Sequence, residues 1–305
     1  MSTLSLEATS RWFGNVVAVN GVTMSIGPGI TGLLGPNGAG KSTLIHLMGG
    51  FLAPSAGTVM LDGAKVWQNQ DVYRHIGLVP EREAMYDFLT GYDLVVANAE
   101  LHGLAEPADA ARRALATVEM TEPGARAIST YSKGMKQRVK MATALVHDPA
   151  VLLLDEPFNG MDPRQRLHLM GLLRTMGAEG RTVLFSSHIL EEVEQIAGRI
   201  EVVVAGRHAA SGDFHEIRRL MTDRPHLYIL RSSDDRTLAG ALVAQGACDG
   251  VRLDAKSGVL HAQAADFPRF ARLVPSVARG NNIRLFEVAP ADESLESVFS
   301  YLVGS

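Results

Sequence analysis

The sequence predicts an α/β protein with a mostly parallel sheet and crossover helices over residues 1–222, followed by a small α+β domain over residues 223–305. Two observations support this prediction. Short apolar runs alternate with helical patterns in the first part, which is typical of successive βαβ segments. From about Pro225 the chain changes to shorter segments between polar turns, and a length of 305 residues suits roughly two domains.

Composition excludes several classes of protein. The chain has 29 basic and 33 acidic residues, a formal net charge of −4, and so lacks the basic footprint of a nucleic-acid-binding protein. No apolar run approaches the length of about 18 residues that a helix needs to cross a bilayer. The first ten residues do not resemble a signal peptide. The single cysteine, Cys248, indicates a reducing compartment and is expected to be a small, partly buried residue. We therefore expect an intracellular protein with no nucleic-acid partner.

The first part contains three predicted buried strands and a helical insertion. The strands are 30–34, 151–154 and 181–186, and the helix after the first strand covers 41–49. The stretch 89–121 is rich in alanine and leucine and has no strand pattern, which predicts helices. We place it in a helical subdomain of about 86–147.

The second part predicts the order βαββαβ, which is that of the split βαβ, ferredoxin-like motif. Pro275 is expected to kink or end the second helix. The predicted elements are a strand at 226–231, a helix at 236–245, a hairpin of 250–254 and 259–263 that turns at 256–258, a helix at 267–278, a strand at 283–288 and a helix at 292–302.

A phosphate-binding loop follows the first buried strand and precedes a helix. Its residues satisfy G-x-x-x-x-G-K-[ST], and they are Gly35, Pro36, Asn37, Gly38, Ala39, Gly40, Lys41 and Ser42. The glycines let backbone N–H groups surround phosphates, and the helix start adds partial positive charge. Lys41 is expected to reach the β- and γ-phosphates, Ser42 to bind Mg²⁺, and Thr43 to support the α-phosphate side.

Two carboxylates follow the second buried strand, at the edge of the sheet where ligands of parallel sheets bind. Asp155 is a candidate to hold Mg²⁺ through water, and Glu156 is a candidate general base for water that attacks a γ-phosphate. An apolar strand that ends in Asp-Glu is often only a capped turn. The functional interpretation therefore depends on the phosphate loop.

An ordered set of further motifs resembles those of the ATP-binding subunits of ABC transporters, over about residues 4–220. The segment 131–138, Tyr-Ser-Lys-Gly-Met-Lys-Gln-Arg, resembles the ABC signature, and 159–162 resembles the D-loop. The segment 186–188 resembles the switch, and 76–81 occupies the Q-loop position. The resemblance implies a P-loop NTPase fold of ABC type with a helical signature subdomain, and ATP with Mg²⁺ as its ligands.

The resemblance also assigns roles to individual residues. His188 would contact the γ-phosphate and the attacking water, and Phe13 would stack on adenine, with Trp12 as the alternative. Ser132, Lys133 and Gly134 would bind the γ-phosphate held by a second, opposite subunit, and Asp162 belongs to the D-loop. The residues alone leave other readings open: Ser132 could cap an ordinary surface helix, His188 could be a polar residue at a strand end, and Phe13 could be a core residue.

Three positions depart from the commonest family pattern. Glu81 stands where most members have glutamine, and Lys133 and Met135 replace a glycine and a glutamine of the signature. A carboxylate at 81 can still approach Mg²⁺ or the attacking water, although it donates a hydrogen bond only when protonated. These residues resemble a bacterial branch of drug- and polysaccharide-type exporters that have separate membrane subunits and often a small C-terminal domain.

This resemblance implies an ATPase that forms a dimer, expected to be a homodimer, on the cytoplasmic face of the membrane. Separate transmembrane permease subunits would carry the substrate, whose identity stays open. The alternatives from other classes are a soluble ABC-type ATPase that acts on ribosomes or DNA, and a P-loop kinase.

Overall fold

The computed structural model describes residues 2–81, 85–214, 216–217, 226–254, 259–264 and 266–290. The chain divides into two compact units, Met1–Phe214 and His215–Ser305. The boundary predicted at 222–223, the turn at 256–258 and the helix at 292–302 lie outside the described residues.

The N-terminal unit alternates strands and helices as predicted. In chain order its elements are β1 (Leu4–Phe13), β2 (Val16–Ile26), β3 (Gly29–Leu34), α1 (Lys41–Met48), β4 (Ala56–Leu61), β5 (Ala64–Lys65), α2 (Gln70–Tyr73), β6 (Ile76–Val79), α3 (Gly91–Leu101), α4 (Pro107–Thr117), α5 (Lys133–Leu145), β7 (Val151–Leu154), α6 (Pro163–Ala178), β8 (Thr182–Ser187), α7 (Leu190–Ile196), β9 (Arg199–Val204) and β10 (Arg207–Gly212).

These strands form two sheets. The central sheet has the order β10-β9-β3-β8-β7-β6, in which β10 is antiparallel to β9 and the other pairs are parallel. The second sheet, β2-β1-β4-β5, is antiparallel. The three predicted buried strands are confirmed as β3, β8 and β7, which are neighbours in the central sheet. Because they are parallel, the residues that follow them meet at one edge.

The main core of this unit lies between the two sheets and α1. Leu33 and Leu153 of the central sheet, Leu44 and Ile45 of α1, and Val59 of the antiparallel sheet are all buried in it. Burial of these aliphatic side chains is the main stabilising contribution to the unit. It also fixes α1 beside β3, and so sets the position of the loop between them.

The helical insertion is confirmed as α3 and α4, which pack against each other and against α5. Thr90 caps α3, and its backbone and hydroxyl oxygen form a reciprocal capping box with Asp93. The hydroxyl of Tyr131 accepts a hydrogen bond from the Gly91 backbone N–H at 3.2 Å and donates to the Pro123 carbonyl at 2.8 Å. Tyr131, the residue before the signature serine, is therefore bonded to the start of α3.

The described residues of the C-terminal unit form an antiparallel sheet against which two helices pack. Its elements are β11 (His226–Ser232), α8 (Asp235–Ala244), β12 (Gly250–Asp254), β13 (Val259–Ala264), α9 (Phe267–Gly280) and β14 (Leu285–Pro290). The strand order β12-β13-β11-β14, with every pair antiparallel, is the arrangement predicted from the βαββαβ order. Cys248 is half-buried, and burial raises the pKa of its thiol.

Two details of the C-terminal prediction were wrong. The helix predicted at 267–278 is confirmed as α9, but Pro275 does not end it, and it continues to Gly280. Pro275 is on its exposed side, while Val274, Val277 and Ala278 are buried in the core. The last predicted strand begins at Leu285 rather than Ile283, although Ile283 is buried in the same core.

None of the helices among the described residues is long and apolar enough to cross a membrane.

Candidate nucleotide-binding and hydrolysis site

The phosphate loop lies at the carboxyl edge of the central sheet, between β3 and α1. Gly38 and Gly40 have φ values of +80° and +100°, which side-chain-bearing residues rarely adopt. A Cβ atom on Gly40 would also lie 2.5 Å from the carbonyl oxygen of Ala18 in β2. Glycine at position 40 therefore allows the loop to turn and to approach β2 closely.

The other loop residues continue this turn into α1. Ala39 is buried, its N–H donates to the Pro36 carbonyl at 3.1 Å, and its carbonyl accepts from Gly206 at 3.0 Å. Ser42 and Thr43 are half-buried in the first turn of α1. The N–H groups at this helix start and the loop backbone form the kind of nest that binds phosphate.

Lys41 is buried beneath the loop, with only 6% of its surface exposed. Its ammonium Nζ donates to the carbonyls of Gly35 at 2.8 Å and Pro36 at 3.3 Å, and lies 3.6 Å from Oε1 of Glu156. The cation is therefore fixed between the phosphate loop and the carboxylate that follows β7.

Asp155 and Glu156 lie at the end of β7, as the sequence predicted. Asp155 is almost wholly buried, and Oδ1 of its carboxylate accepts a hydrogen bond of 2.6 Å from the hydroxyl of Ser186 in β8. The same hydroxyl accepts a 2.8 Å hydrogen bond from the Glu156 backbone N–H. Carboxylate and hydroxyl oxygens, as on Asp155 and Ser42, are the ligands that Mg²⁺ prefers, so the residues present fit this ion.

Glu156 and His188 contact each other directly. Oε2 of Glu156 lies 3.0 Å from Nδ1 of His188, and Glu156 is buried while the His188 side chain is 40% exposed. Burial raises the pKa of Glu156, against the opposing effects of the His188 hydrogen bond and the Lys41 charge. A carboxylate with a raised pKa is a stronger proton acceptor, which suits a general base.

The turn that carries His188 is fixed by side chains to which the sequence assigned no individual role. The Ser187 hydroxyl donates to Oε2 of Glu192 at 2.6 Å and accepts from the Ile189 N–H at 3.0 Å. Oε1 of Glu192 pairs with Arg166 of α6 at 3.2 Å. The available sequence signal was the pair of serines that ends an otherwise apolar strand.

Phe13 lies at the tip of the β1–β2 hairpin and is 45% exposed, so the reading of Phe13 as a core residue does not hold. The Arg11 guanidinium lies 4.7 Å from the centre of its ring. Phe13 pairs with Val16, and Trp12 pairs with Val17, so the two aromatic side chains face opposite sides of the hairpin. The same β2 strand contacts the phosphate loop at Ala18.

The signature and D-loop residues form a second group, through contacts with each other. Ser132 caps α5, and its hydroxyl accepts from the Met135 N–H at 3.3 Å. Asp162 caps α6 and accepts from the Gln165 N–H at 2.9 Å, while the Gln165 side chain lies against Gly134. Lys133 is exposed, and a Cβ atom on Gly160 would lie 3.1 Å from its Cβ. The starts of α5 and α6 are therefore packed together.

Glu81 is exposed just beyond the end of β6. Its backbone carbonyl accepts from the ammonium of Lys140 at 3.2 Å, and the Pro80 carbonyl accepts from the same ammonium at 2.7 Å. Lys140 of α5 therefore connects the Q-loop position to the signature helix.

A P-loop between β3 and α1, with a carboxylate pair at the end of β7, defines a P-loop NTPase. The family model described as ABC transporter matches residues 19–159. The chain is 31% identical to a daunorubicin resistance ATP-binding protein of Streptomyces coeruleorubidus, over 99% of this chain and 96% of the relative. It is 30% identical to a bacitracin transport ATP-binding protein of Enterococcus faecalis, over 99% and 96%.

A solved ATP-binding subunit of an ABC transporter shares the fold, with a TM-score of 0.65 and 29% identity over 72% of this chain and 92% of that structure. The chain belongs to the ABC transporter family, as an ATP-binding subunit with ATPase activity.

Proposed function

We propose that this ATPase powers export of a substrate through separate transmembrane subunits, by closing as a dimer around ATP and opening after hydrolysis. The hydrolysis in this proposal is supported by the contact of Glu156 with both His188 and Lys41, at the edge of the sheet beside Asp155. It joins a phosphate-binding cation, a buried base and an exposed imidazole in one site. The names of the resistance and transport relatives support an exporter.

The phosphate loop would hold the triphosphate of ATP. Backbone N–H groups of residues 35–43 would bind the phosphate oxygens, and the Lys41 ammonium would exchange its contacts with loop carbonyls for the β- and γ-phosphates. Phe13, exposed at the hairpin tip, would stack on adenine. Ser42 and Asp155 would hold Mg²⁺, with Glu81 as a further candidate, and this ion would neutralise phosphate charge.

Glu156 would accept the proton of the attacking water, because its raised pKa makes it an effective base. His188 would fix the orientation of the Glu156 carboxylate through Nδ1, and its other ring nitrogen, Nε2, would contact the γ-phosphate. Lys41 would stabilise the negative charge that spreads over the phosphate oxygens during transfer.

The second group of residues would complete the site of a partner subunit. The N-terminus of α5, with Ser132, Lys133 and Gly134, offers backbone N–H groups and one exposed cation to an anion. Asp162 would place the D-loop beside it. In a head-to-tail dimer each γ-phosphate would lie between the phosphate loop of one copy and this helix start of the other, so ATP would hold the copies together.

The transmembrane subunits would dock near Glu81 and the helical insertion, and this chain would lie on the cytoplasmic face of the membrane. Tyr86 and Phe88, five and seven residues after Glu81, are 62% and 81% exposed and contact each other with ring centres 5.8 Å apart. An exposed aromatic pair of this kind is typical of a protein–protein contact.

The catalytic part of the proposal is tested with Glu156→Gln, which keeps the shape of the side chain but removes the base. We expect the variant to bind ATP with an affinity close to that of the unaltered protein and to lose about 100-fold or more of kcat. Glu194→Gln, at an exposed position of α7, is the matched control. Full turnover by Glu156→Gln would remove Glu156 as the base.

The transport part is tested by copurification from the native host. We expect a multispanning membrane protein to copurify with the unaltered chain, and to be lost with a Tyr86→Ser, Phe88→Ser double variant that keeps its basal ATPase activity. Copurification with ribosomes instead would contradict the transport proposal.

A further inference from the structure

Ser186 is a buried polar residue at the centre of the hydrolysis site. It has no exposed surface and lies in β8, the strand between β3, which leads into the phosphate loop, and β7, which leads to Asp155. The four residues before it in β8 are also fully buried, and Val183, Leu184 and Phe185 among them are apolar. A hydroxyl buried in such surroundings costs free energy unless it is hydrogen-bonded.

The hydroxyl of Ser186 makes a hydrogen bond to each of the two residues that follow β7. It has one proton, which it donates to Oδ1 of Asp155 at 2.6 Å. It also accepts the backbone N–H of Glu156 at 2.8 Å. A single oxygen atom therefore contacts the side chain of one residue and the backbone of the next.

The backbone at Glu156 needs such support. Its φ of +48° lies in the left-handed region, which costs on the order of 1 to 3 kcal/mol for a residue with a side chain when the surroundings hold it there. This conformation directs the Glu156 carboxylate toward Lys41 and His188, at 3.6 Å and 3.0 Å. The bond from Ser186 is the contact that fixes the N–H side of this residue.

We propose that Ser186 is a positioning residue for ATP hydrolysis, whose hydroxyl holds the Asp155 carboxylate and the Glu156 backbone in one arrangement. The proposal rests on the roles proposed above for Asp155 and Glu156. By occupying Oδ1 of Asp155, Ser186 orients the other oxygen, Oδ2, for a magnesium ion. By accepting the hydrogen bond of the Glu156 N–H, Ser186 keeps the Glu156 carboxylate directed at the region beside Lys41 and His188.

Ser186→Ala removes the hydroxyl and adds no bulk. We expect kcat to fall by about 10- to 100-fold, because the base is displaced, and the KM for Mg²⁺-ATP to rise only a few-fold, because the phosphate loop is intact while Mg²⁺ is held less well. In a Glu156→Gln background, where hydrolysis is blocked, we expect a fluorescent ATP analogue to bind normally without Mg²⁺. The strengthening of its binding by Mg²⁺ should be several-fold weaker than with Ser186 present.

Two further variants separate positioning from stability. Thr182→Val removes another fully buried hydroxyl of β8, at the opposite end of the strand, where it bonds to the Ser2 carbonyl. We expect it to lower the melting temperature as much as Ser186→Ala does, without changing kcat or the Mg²⁺ effect. Ser186→Thr keeps a hydroxyl on the same carbon. We expect it to recover most of the native kcat and most of the strengthening of nucleotide binding by Mg²⁺.

Native kcat and a native Mg²⁺ effect in Ser186→Ala would overturn the proposal. So would equal losses in Ser186→Ala and Thr182→Val, or a Ser186→Thr variant that is stably folded but as impaired as the alanine variant. Failure of the proposed function is distinguishable from these results, because it would appear as full turnover by Glu156→Gln alone.

Discussion

His147, two residues after the signature helix α5, is predicted to make the N-terminal unit less stable in mild acid. Its Nε2 lies 3.2 Å from the Ile76 carbonyl, and its ring stacks on His102 with centres 3.7 Å apart. Burial, and then the nearby His102, lower the pKa of His147 to about 4, while the Ile76 bond and Asp148 oppose the shift. The folded protein therefore resists protonation of His147.

The size of the effect follows from the pKa difference. The unfolded chain has an ordinary histidine pKa of 6.5, so between pH 6.5 and pH 4 it binds a proton that the folded state rejects. The free energy of unfolding consequently falls as the pH falls through this window. At pH 5 the full difference corresponds to about 2 kcal/mol, and solvent screening of the partly exposed ring reduces this to about 1 kcal/mol.

Urea unfolding followed by tryptophan fluorescence measures this effect, because both tryptophans, Trp12 and Trp67, lie in the N-terminal unit. The comparison is with His147→Gln, whose amide can donate to the same carbonyl but does not titrate. From pH 7.5 to pH 5 the native protein should lose about 1 kcal/mol relative to the variant. A difference between the two proteins that does not change with pH would show that the pKa of His147 is not lowered in the folded state.

Two further substitutions test the loop and the switch. Gly40→Ala should weaken ATP binding, measured by calorimetry, by at least 10-fold. A side chain at position 40 disfavours the φ of +100° and would lie too close to the Ala18 carbonyl. An affinity close to that of the unaltered protein would contradict this loop geometry. Glu192→Gln removes a buried charge that pairs with Arg166, and should therefore lower the free energy of unfolding by about 2 kcal/mol. The control is Glu194→Gln, at an exposed position, which should change the free energy of unfolding by less than about 0.5 kcal/mol. Equal effects of the two glutamate variants in urea unfolding would show that the pair contributes nothing.

The sequence predicted the parts of the site that follow from local patterns. The phosphate loop, the carboxylate pair and His188 each follow the end of a buried strand, and parallel strands bring such residues to one edge. Their types and their order along the chain were therefore enough to place them together.

The sequence did not reveal contacts that depend on which strands and helices are neighbours. The bonds of Ser186 to residues 155 and 156 require β8 to lie beside β7, and the pairing of Arg166 with Glu192 requires α6 to lie beside α7. No local spacing encodes these distances. The stack of His102 on His147 was missed for the same reason, since it joins the residues that follow α3 and α5.

The helix-breaking tendency of Pro275 was overestimated. A proline removes one backbone hydrogen bond, but the burial of Phe270, Val274 and Val277 on the other face of α9 offsets that loss. At this position, burial of the apolar face outweighs the low helix propensity of proline.

In the proposed dimer, two copies of this chain share each ATP. The mass of Glu156→Gln in solution, measured by light scattering with and without Mg²⁺ and ATP, is the decisive measurement. We expect a monomer without nucleotide and a dimer with it, and we expect Gly134→Asp, added to Glu156→Gln, to abolish the dimer without preventing ATP binding. A Glu156→Gln protein that binds ATP and remains a monomer at high concentration would show that the copies do not share the nucleotide.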